Sequence, residues 1–241
     1  MFTTRLGGVS VGSYLSLNLA SHVGDASAAV ATNRRRCVRA LGITPGRLAE
    51  AEQVHGSGVG AVGKNAPAPS APRVPLPGVD ALVTAVPGVW LAVYSADCVP
   101  VLLLDAASPA VAAIHAGWRG TAAGIVEATL LRMRELFGTA PGRCTAVLGP
   151  AIGGCCYEVD TPVAEAMRGG PWWPEAARPT GPERWHLDLR VAIRRQLTAL
   201  GVPDEGVTSV PHCTACRADL FFSHRRDGVT GRMGAYVCLT G

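Results

Sequence analysis

Ser95-Ala96-Asp97-Cys98 and His115-Ala116-Gly117-Trp118-Arg119-Gly120 punctuate the most apolar part of the chain. Val89 to Ser95, Val99 to Leu104 and Val111 to Ile114 are apolar runs of buried-strand length. The first two flank Asp97-Cys98. The third delivers His115 into a glycine-rich turn. From there the spacing of Ile125, Val126, Thr129, Leu130, Met133, Leu136 and Phe137 predicts one amphipathic helix from about Thr121 to Phe137. Cys98 and His115 are separated by one strand and its return, so both can stand at neighbouring strand ends. The turn after His115 adds free N–H groups, a helix start and the Arg119 guanidinium, a combination that favours an anion, phosphate above all.

Outward from this stretch, strands and helices are intermixed. Asp25 is a candidate cap for a helix through Val30, Cys37, Val38 and Leu41 closed by Gly42, with Arg34, Arg35 and Arg36 largely on its solvent side. Residues 1–24 read as an extended opening. Leu48 to Val54, a run to Val62, Gly78 to Thr84, Thr145 to Leu148, Val207 to Val210 and Ala235 to Leu239 read as further strands. Asp160 to Met167 reads as a short helix, and Asp188 as the cap of a helix carrying Val191, Ile193, Leu197 and Leu200. Arg168 to Arg184 reads as a loop, and residues 65–77, rich in Pro and Ala, as a surface loop. Several connections are too short for a crossover helix, so the class is α/β (α+β), mixed sheets flanked by helices, and the length of 1–241 fits one domain or a fused two-lobed unit.

The 241 residues are 48% hydrophobic, enough for a sizeable core. The mean hydropathy is +0.24, yet no run reaches the ~20 apolar residues of a membrane span. Met1 to Arg5 shows no apolar leader, which predicts a cytoplasmic protein. The net charge is +4 and Lys64 is the lone lysine. No basic tract with interleaved aromatics appears, which argues against nucleic acid as a partner. The eight cysteines read as reduced thiols. Adjacent Cys155 and Cys156 are expected to point apart and to be structural. The Cys213-Thr214-Ala215-Cys216 pair lacks a second pair at zinc-ribbon spacing.

Three donors stand out. Two imidazoles, His55 and His115, and one thiolate, Cys98, would make a tetrahedral zinc site with one position open, the catalytic form. Asp97 and Asp80 are candidate acceptors behind these ligands, or bases. His55 by itself reads equally as a structural histidine at a strand end. Arg5 and Asn18 read as turn or solvated residues that are also able to reach a polar ligand. Copper is the weaker metal, and the six histidines are too few for a self-contained multicopper oxidase. A metal-free Cys98/His115 nucleophile pair is the alternative.

Thr4-Arg5-Leu6-Gly7-Gly8-Val9-Ser10, Gln53-Val54-His55-Gly56, Ala96-Asp97-Cys98-Val99-Pro100-Val101, His115 to Gly120, and Leu148 to Gly153 with Cys155-Cys156-Tyr157-Glu158-Val159 together resemble the YfiH/PgeF family. Its members have been called laccase-like polyphenol oxidases, and a mammalian relative is FAMIN. Leu187-Asp188-Leu189, Cys213-Thr214, Phe221-Phe222-Ser223 with Arg225-Arg226, and Thr230-Gly231-Arg232 match as well, so the resemblance spans the chain. It implies the layered YfiH fold, usually monomeric, and a zinc on His55, Cys98 and His115. It implies phosphorolysis of purine nucleosides (adenosine, inosine, guanosine, methylthioadenosine) and deamination of adenosine. It also implies, as a second family role, removal of a misincorporated serine from peptidoglycan precursors. Arg119, Arg5, Asn18 and Gln53 are then candidates for phosphate or ribose contacts. The chain departs from the family pattern at 65–77, which looks like an insertion, at His224 and at Cys216.

Overall fold

The computed structural model describes residues 1–44, 46–63 and 75–240. Twelve strands appear among them: β1 (Leu48–Glu50), β2 (Val59–Ala61), β3 (Ala81–Thr84), β4 (Trp90–Ser95), β5 (Val99–Asp105), β6 (Ala110–Ala116), β7 (Cys144–Leu148), β8 (Glu158–Asp160), β9 (Ala177–Gly181), β10 (Arg184–Leu187), β11 (Val207–Ser209) and β12 (Met233–Cys238). The helices are α1 (Ser27–Ala40), α2 (Trp118–Ala122), α3 (Ile125–Phe137), α4 (Thr161–Met167), α5 (Trp173–Ala176), α6 (Leu189–Ala199) and α7 (His224–Asp227). The predicted surface loop at 65–77 falls mostly outside the described residues; at its end Leu76 bridges to Ala51.

A mixed sheet in the order β11-β7-β5-β6-β3-β2 forms the centre. Its inner strands β5, β6 and β3 carry buried side chains on both faces, as strands covered twice must, while β7 alternates buried and exposed. Val101, Leu103, Ala112 and Ile114 face Ile125, Leu130 and Met133 of α3 and Ile193 and Leu197 of α6. Leu82, Leu102, Val111 and Ala113 face Leu91 and Val93 of β4 and Ala235 of β12. The second sheet, β1-β4-β12, therefore closes the other side, giving a mixed α/β stack of sheet, sheet and helices. Among the described residues, no helix is long and apolar enough to cross a membrane.

Four expectations are corrected. The helix predicted from Thr121 to Phe137 is two helices, because Ala123 ends α2 and Gly124 takes φ +76° before α3 begins; the apolar spacing runs through that break and hides it. Asp25 does not cap α1, which starts at Ser27 after Ala26. Its Oδ2 instead accepts from Ser10 and Asn18. Arg34 turns inward to the buried Glu50 carboxylate, at 3.4 Å, and lies over the Tyr94 ring. The loop expected through Arg184 contains α5 and the strand β9, which pairs antiparallel with β10. Asp188 does cap α6, accepting from the Arg190 N–H at 2.9 Å.

Candidate metal and substrate site

β5 and β6 pair antiparallel with Val99 opposite Ala116 and Pro100 opposite His115. Cys98 just precedes this ladder and Gly117 just follows it, so the two face each other across the strand ends. A Cβ on Gly117 would stand 3.0 Å from the Cys98 Sγ and 3.3 Å from the His55 Cδ2. Only glycine leaves that space to the donors. His55 arrives from the segment between β1 and β2. One ligand atom each of His55, Cys98 and His115 lies within 4.8 Å of the others. The two imidazoles meet edge to face, their centroids 4.9 Å apart.

Asp80, immediately before β3, is the anchor of this group. It is fully buried. Its Oδ1 accepts from the His55 N–H at 2.9 Å, and its Oδ2 from those of Val54 at 3.1 Å and Gly56 at 2.7 Å. Its Oδ1 also lies 2.9 Å from Nδ1 of His115. A carboxylate there holds the proton on Nδ1 and leaves Nε2 as the free donor. Burial alone would raise the Asp80 pKa, but these hydrogen bonds and the His115 charge hold it below the ordinary carboxylate value. One side chain thus fixes the tautomer of one histidine and the backbone of the other. The backbone is held in costly conformations: Gln53, His55 and Asp97 take φ of +63°, +61° and +100°. Non-glycine residues in this region cost on the order of 1–3 kcal/mol each and persist where the surroundings over-determine them.

The electrostatics suit a metal. Burial works against the Cys98 thiolate, but His115 and His55 overcome it and bring the thiol down to about 6. Burial likewise opposes the His115 imidazolium, and Cys98 with Asp80 raises it to about 9. The thiol is poised to ligate as thiolate, and an incoming cation displaces the proton of His115. Two nitrogens and one sulfur fit one tetrahedral ion with a side left open. They do not fit a multicopper cluster, since no other histidine joins the group among the described residues.

That open side gives onto a cavity of about 360 Å³. Its walls include Gln53, Tyr157, Trp118 and the arginines Arg119, Arg225 and Arg232. The Arg119 guanidinium lies 4.3 Å over Trp118 and that of Arg225 lies 4.9 Å over Tyr157. Burial lowers the Arg232 pKa. Burial, with the nearby Cys98 charge, pushes the Tyr157 phenol far up, so it stays protonated and can donate.

The remaining sequence candidates are placed as follows. Gln53 lines the cavity, but its amide is spent on the N–H and carbonyl of Tyr94. Asp97 also lines it, yet its carboxylate accepts from the Thr214 hydroxyl at 2.6 Å and the Arg225 N–H at 2.7 Å. It therefore ties the loop before β5 to two distant segments. Arg5 and Asn18 are not among the lining residues. Arg5 donates to the carbonyls of Leu15 and Ala218, and the buried Asn18 ties Ala20, Asp25 and Arg232. The helix after Gly117 is only five residues long, so the anion-binding character of the cavity comes from its arginines. Tyr157, Arg225 and Arg232 went unassigned from sequence, although each lies in a motif noted above. His22, also on the wall, carried no signal at all.

A family model described as multi-copper polyphenol oxidoreductase laccase matches residues 1–240. The chain belongs to this family. The motifs quoted above had placed it in the same group under its YfiH/PgeF name, and the solved relatives agree. Purine nucleoside phosphorylase YlmD of Geobacillus stearothermophilus is 42% identical over 98% of this chain and 88% of its own. Its crystal structure superposes with a TM-score of 0.95, covering 100% of this chain and 91% of that one. Purine nucleoside phosphorylase SCO2081 of Streptomyces coelicolor is 45% identical over 99% of this chain and 94% of its own. The Bacillus licheniformis hypothetical protein YfiH superposes with a TM-score of 0.95 at 36% identity, over 99% of this chain and 91% of that one.

Proposed function

We propose that this chain is a purine nucleoside phosphorylase whose metal is zinc, held by His55, Cys98 and His115. The observation that carries the reading is the cavity: three soft and borderline donors on one wall, and the arginines Arg119, Arg225 and Arg232 on the others. The near full-length similarity to two purine nucleoside phosphorylases supports it.

In phosphorolysis a phosphate oxygen bonds to C1′ as the bond from C1′ to the base nitrogen breaks. The base leaves with the electron pair and takes up a proton, and ribose 1-phosphate remains. The chain's residues match these demands. Guanidinia of Arg119, Arg225 and Arg232 neutralise the phosphate and offer paired donors. The protonated Tyr157 donates to a ribose or purine acceptor. Asp80 holds His115 and His55 in place through the reaction. When bound, zinc supplies Lewis-acid chemistry at the open side of its three ligands. That open side also suits deamination of adenosine, in which water replaces the 6-amino group and ammonia leaves. Adenosine, inosine, guanosine and methylthioadenosine are the substrates to try. We read residues 1–241 as one catalytic unit, acting as a monomer on small molecules in the cytoplasm.

The test is product analysis of adenosine and inosine with the purified protein, with and without phosphate. Free base together with ribose 1-phosphate, formed only when phosphate is present, is the expected result. Ammonia released without phosphate identifies the deaminase activity. Failure to act on any purine nucleoside would overturn the reading and leave peptidoglycan precursors as the substrates to examine.

A further inference from the structure

A second cluster of metal-binding atoms lies beside the catalytic cavity. The turn Gly153–Tyr157 is closed by the N–H groups of Cys156 and Tyr157, which donate to the Gly153 carbonyl. The turn after Cys213 is closed by the Arg217 N–H, which donates to the Cys213 carbonyl at 3.1 Å. These two turns bring Cys155, Cys156, Cys213 and Cys216 together, with all four Sγ atoms within 4.8 Å of one another. The expectations that the adjacent cysteines point apart, and that the Cys213/Cys216 pair has no partner pair, are both corrected. The tight turn puts both thiols of Cys155-Cys156 on one side, and the partner pair stands next to the other in space rather than in sequence.

We propose that these four cysteines form a closed, structural zinc site, separate from the His55–Cys98–His115 group. The Cys216 Sγ lies 3.6 Å from that of Cys155 and 3.4 Å from that of Cys156. Four sulfurs about 2.3 Å from one tetrahedral zinc stand about 3.8 Å from each other. A disulfide would need about 2.05 Å, so Cys216 stands from Cys155 and Cys156 at ligand spacing and not at bond spacing, with Cys213 within 4.8 Å of all three. They are too close together to enclose an iron–sulfur cluster, which needs room for several irons. The Gly153 N–H points at the Cys213 sulfur at 3.3 Å, as it would toward a thiolate ligand. The Arg226 guanidinium donates to the carbonyls of Thr214 and Ala215 in the Cys213–Cys216 turn and is itself paired with Asp227, so it braces this turn. On binding, four thiols lose their protons as four sulfur–zinc bonds form, with no change of oxidation state.

The ion would tie two segments that shape the cavity. One carries Ile152 and Tyr157, both on the cavity wall. The other carries Thr214, whose hydroxyl holds Asp97 beside Cys98. The site is structural, and its loss is felt first as stability.

The test is zinc content and thermal melting of the full chain, purified with zinc, under a reductant and without chelators. Wild type is expected to hold about two zinc ions per chain, and Cys98→Ala and Cys216→Ser about one each. Cys216→Ser is expected to melt at lower temperature while keeping the zinc at His55, Cys98 and His115. Because Cys216 is exposed, this variant has the best prospect of folding. Cobalt added to metal-stripped Cys98→Ala protein gives a second readout: strong sulfur-to-cobalt charge-transfer absorption is expected. Cys98→Ala protein that holds no zinc, whether its four cysteines titrate as thiols or as disulfides, overturns the proposal. So does Cys216→Ser protein that still holds two.

Discussion

At the ends of β5 and β6, two histidines and one cysteine stand on paired strands backed by a buried carboxylate. A short distance away, four cysteines stand on two turns whose nearby acids, Asp188 and Asp97, accept from the Gly154 N–H and the Thr214 hydroxyl and hold the turns, not the sulfurs. In the first group the paired strands fix the direction of Cys98 and His115, and Asp80 fixes the ring of His115 and the backbone at His55. Gly117 clears the space around the donors. The result is three candidate ligand atoms facing a cavity, at the cost of three non-glycine residues at positive φ. In the second group two turns bring four sulfurs within 4.8 Å of one another, with Cys155 and Cys216 at the surface. Rigid strand ends hold a site open for chemistry; turns close one for stability.

The largest way to disturb this contrast, short of removing a ligand, is to remove the backing. Asp80→Asn keeps the side-chain volume, but it sets an amide NH2 against N–H groups the carboxylate now accepts from and no longer stabilises the His115 Nδ1–H as a charge. It is expected to weaken zinc binding at this site by about 10- to 100-fold, measured by competition with a chelator, and to leave the four-cysteine site loaded.

Metal affinity should also depend on pH in a defined way. At pH 7.5 Cys98, brought to about 6, is already a thiolate, and His115, raised to about 9, still carries its proton. Binding at pH 7.5 therefore expels about one proton, mainly from His115. Affinity should rise with pH between 6 and 9, level off above 9, and fall more steeply below 6, where Cys98 must also lose a proton. Titration calorimetry in buffers of different ionisation heat, on Cys216→Ser protein, counts the protons. A pH-independent affinity would contradict the ion-pair reading of the apo site.

Smaller effects should separate binding from structure. Arg119→Ala is expected to raise the KM for phosphate about tenfold, about 1.4 kcal/mol, with a lesser change in that for nucleoside. Thr214→Val removes the hydroxyl that donates to Asp97 and should destabilise the fold by about 1–3 kcal/mol in denaturant unfolding, leaving a buried carboxylate oxygen short of a partner.

Much of this was legible in the sequence. Apolar runs bounded by Asp97-Cys98 and His115-Ala116-Gly117 are what a doubly covered antiparallel pair looks like, so the neighbouring positions of Cys98 and His115 follow from strand length alone. Other features were hidden for physical reasons. The β9–β10 hairpin is almost wholly exposed along Ala177–Gly181, so it shows no apolar alternation. The break at Gly124 sits inside an unbroken apolar period. The arginines of the cavity come from distant segments, and only the fold brings them to one wall. The four-cysteine cluster joins turns some sixty residues apart, and a rule about pair spacing along the chain cannot see it.

The most direct test of the central claim is base release from inosine in the presence of phosphate, by wild type and by Cys98→Ala loaded with zinc. Phosphate-dependent hypoxanthine release by wild type is expected, with a loss on the order of 10³-fold or more in kcat/KM for the variant, equivalent to about 4 kcal/mol, and one zinc fewer per chain. A Cys98→Ala protein with undiminished turnover would contradict that claim.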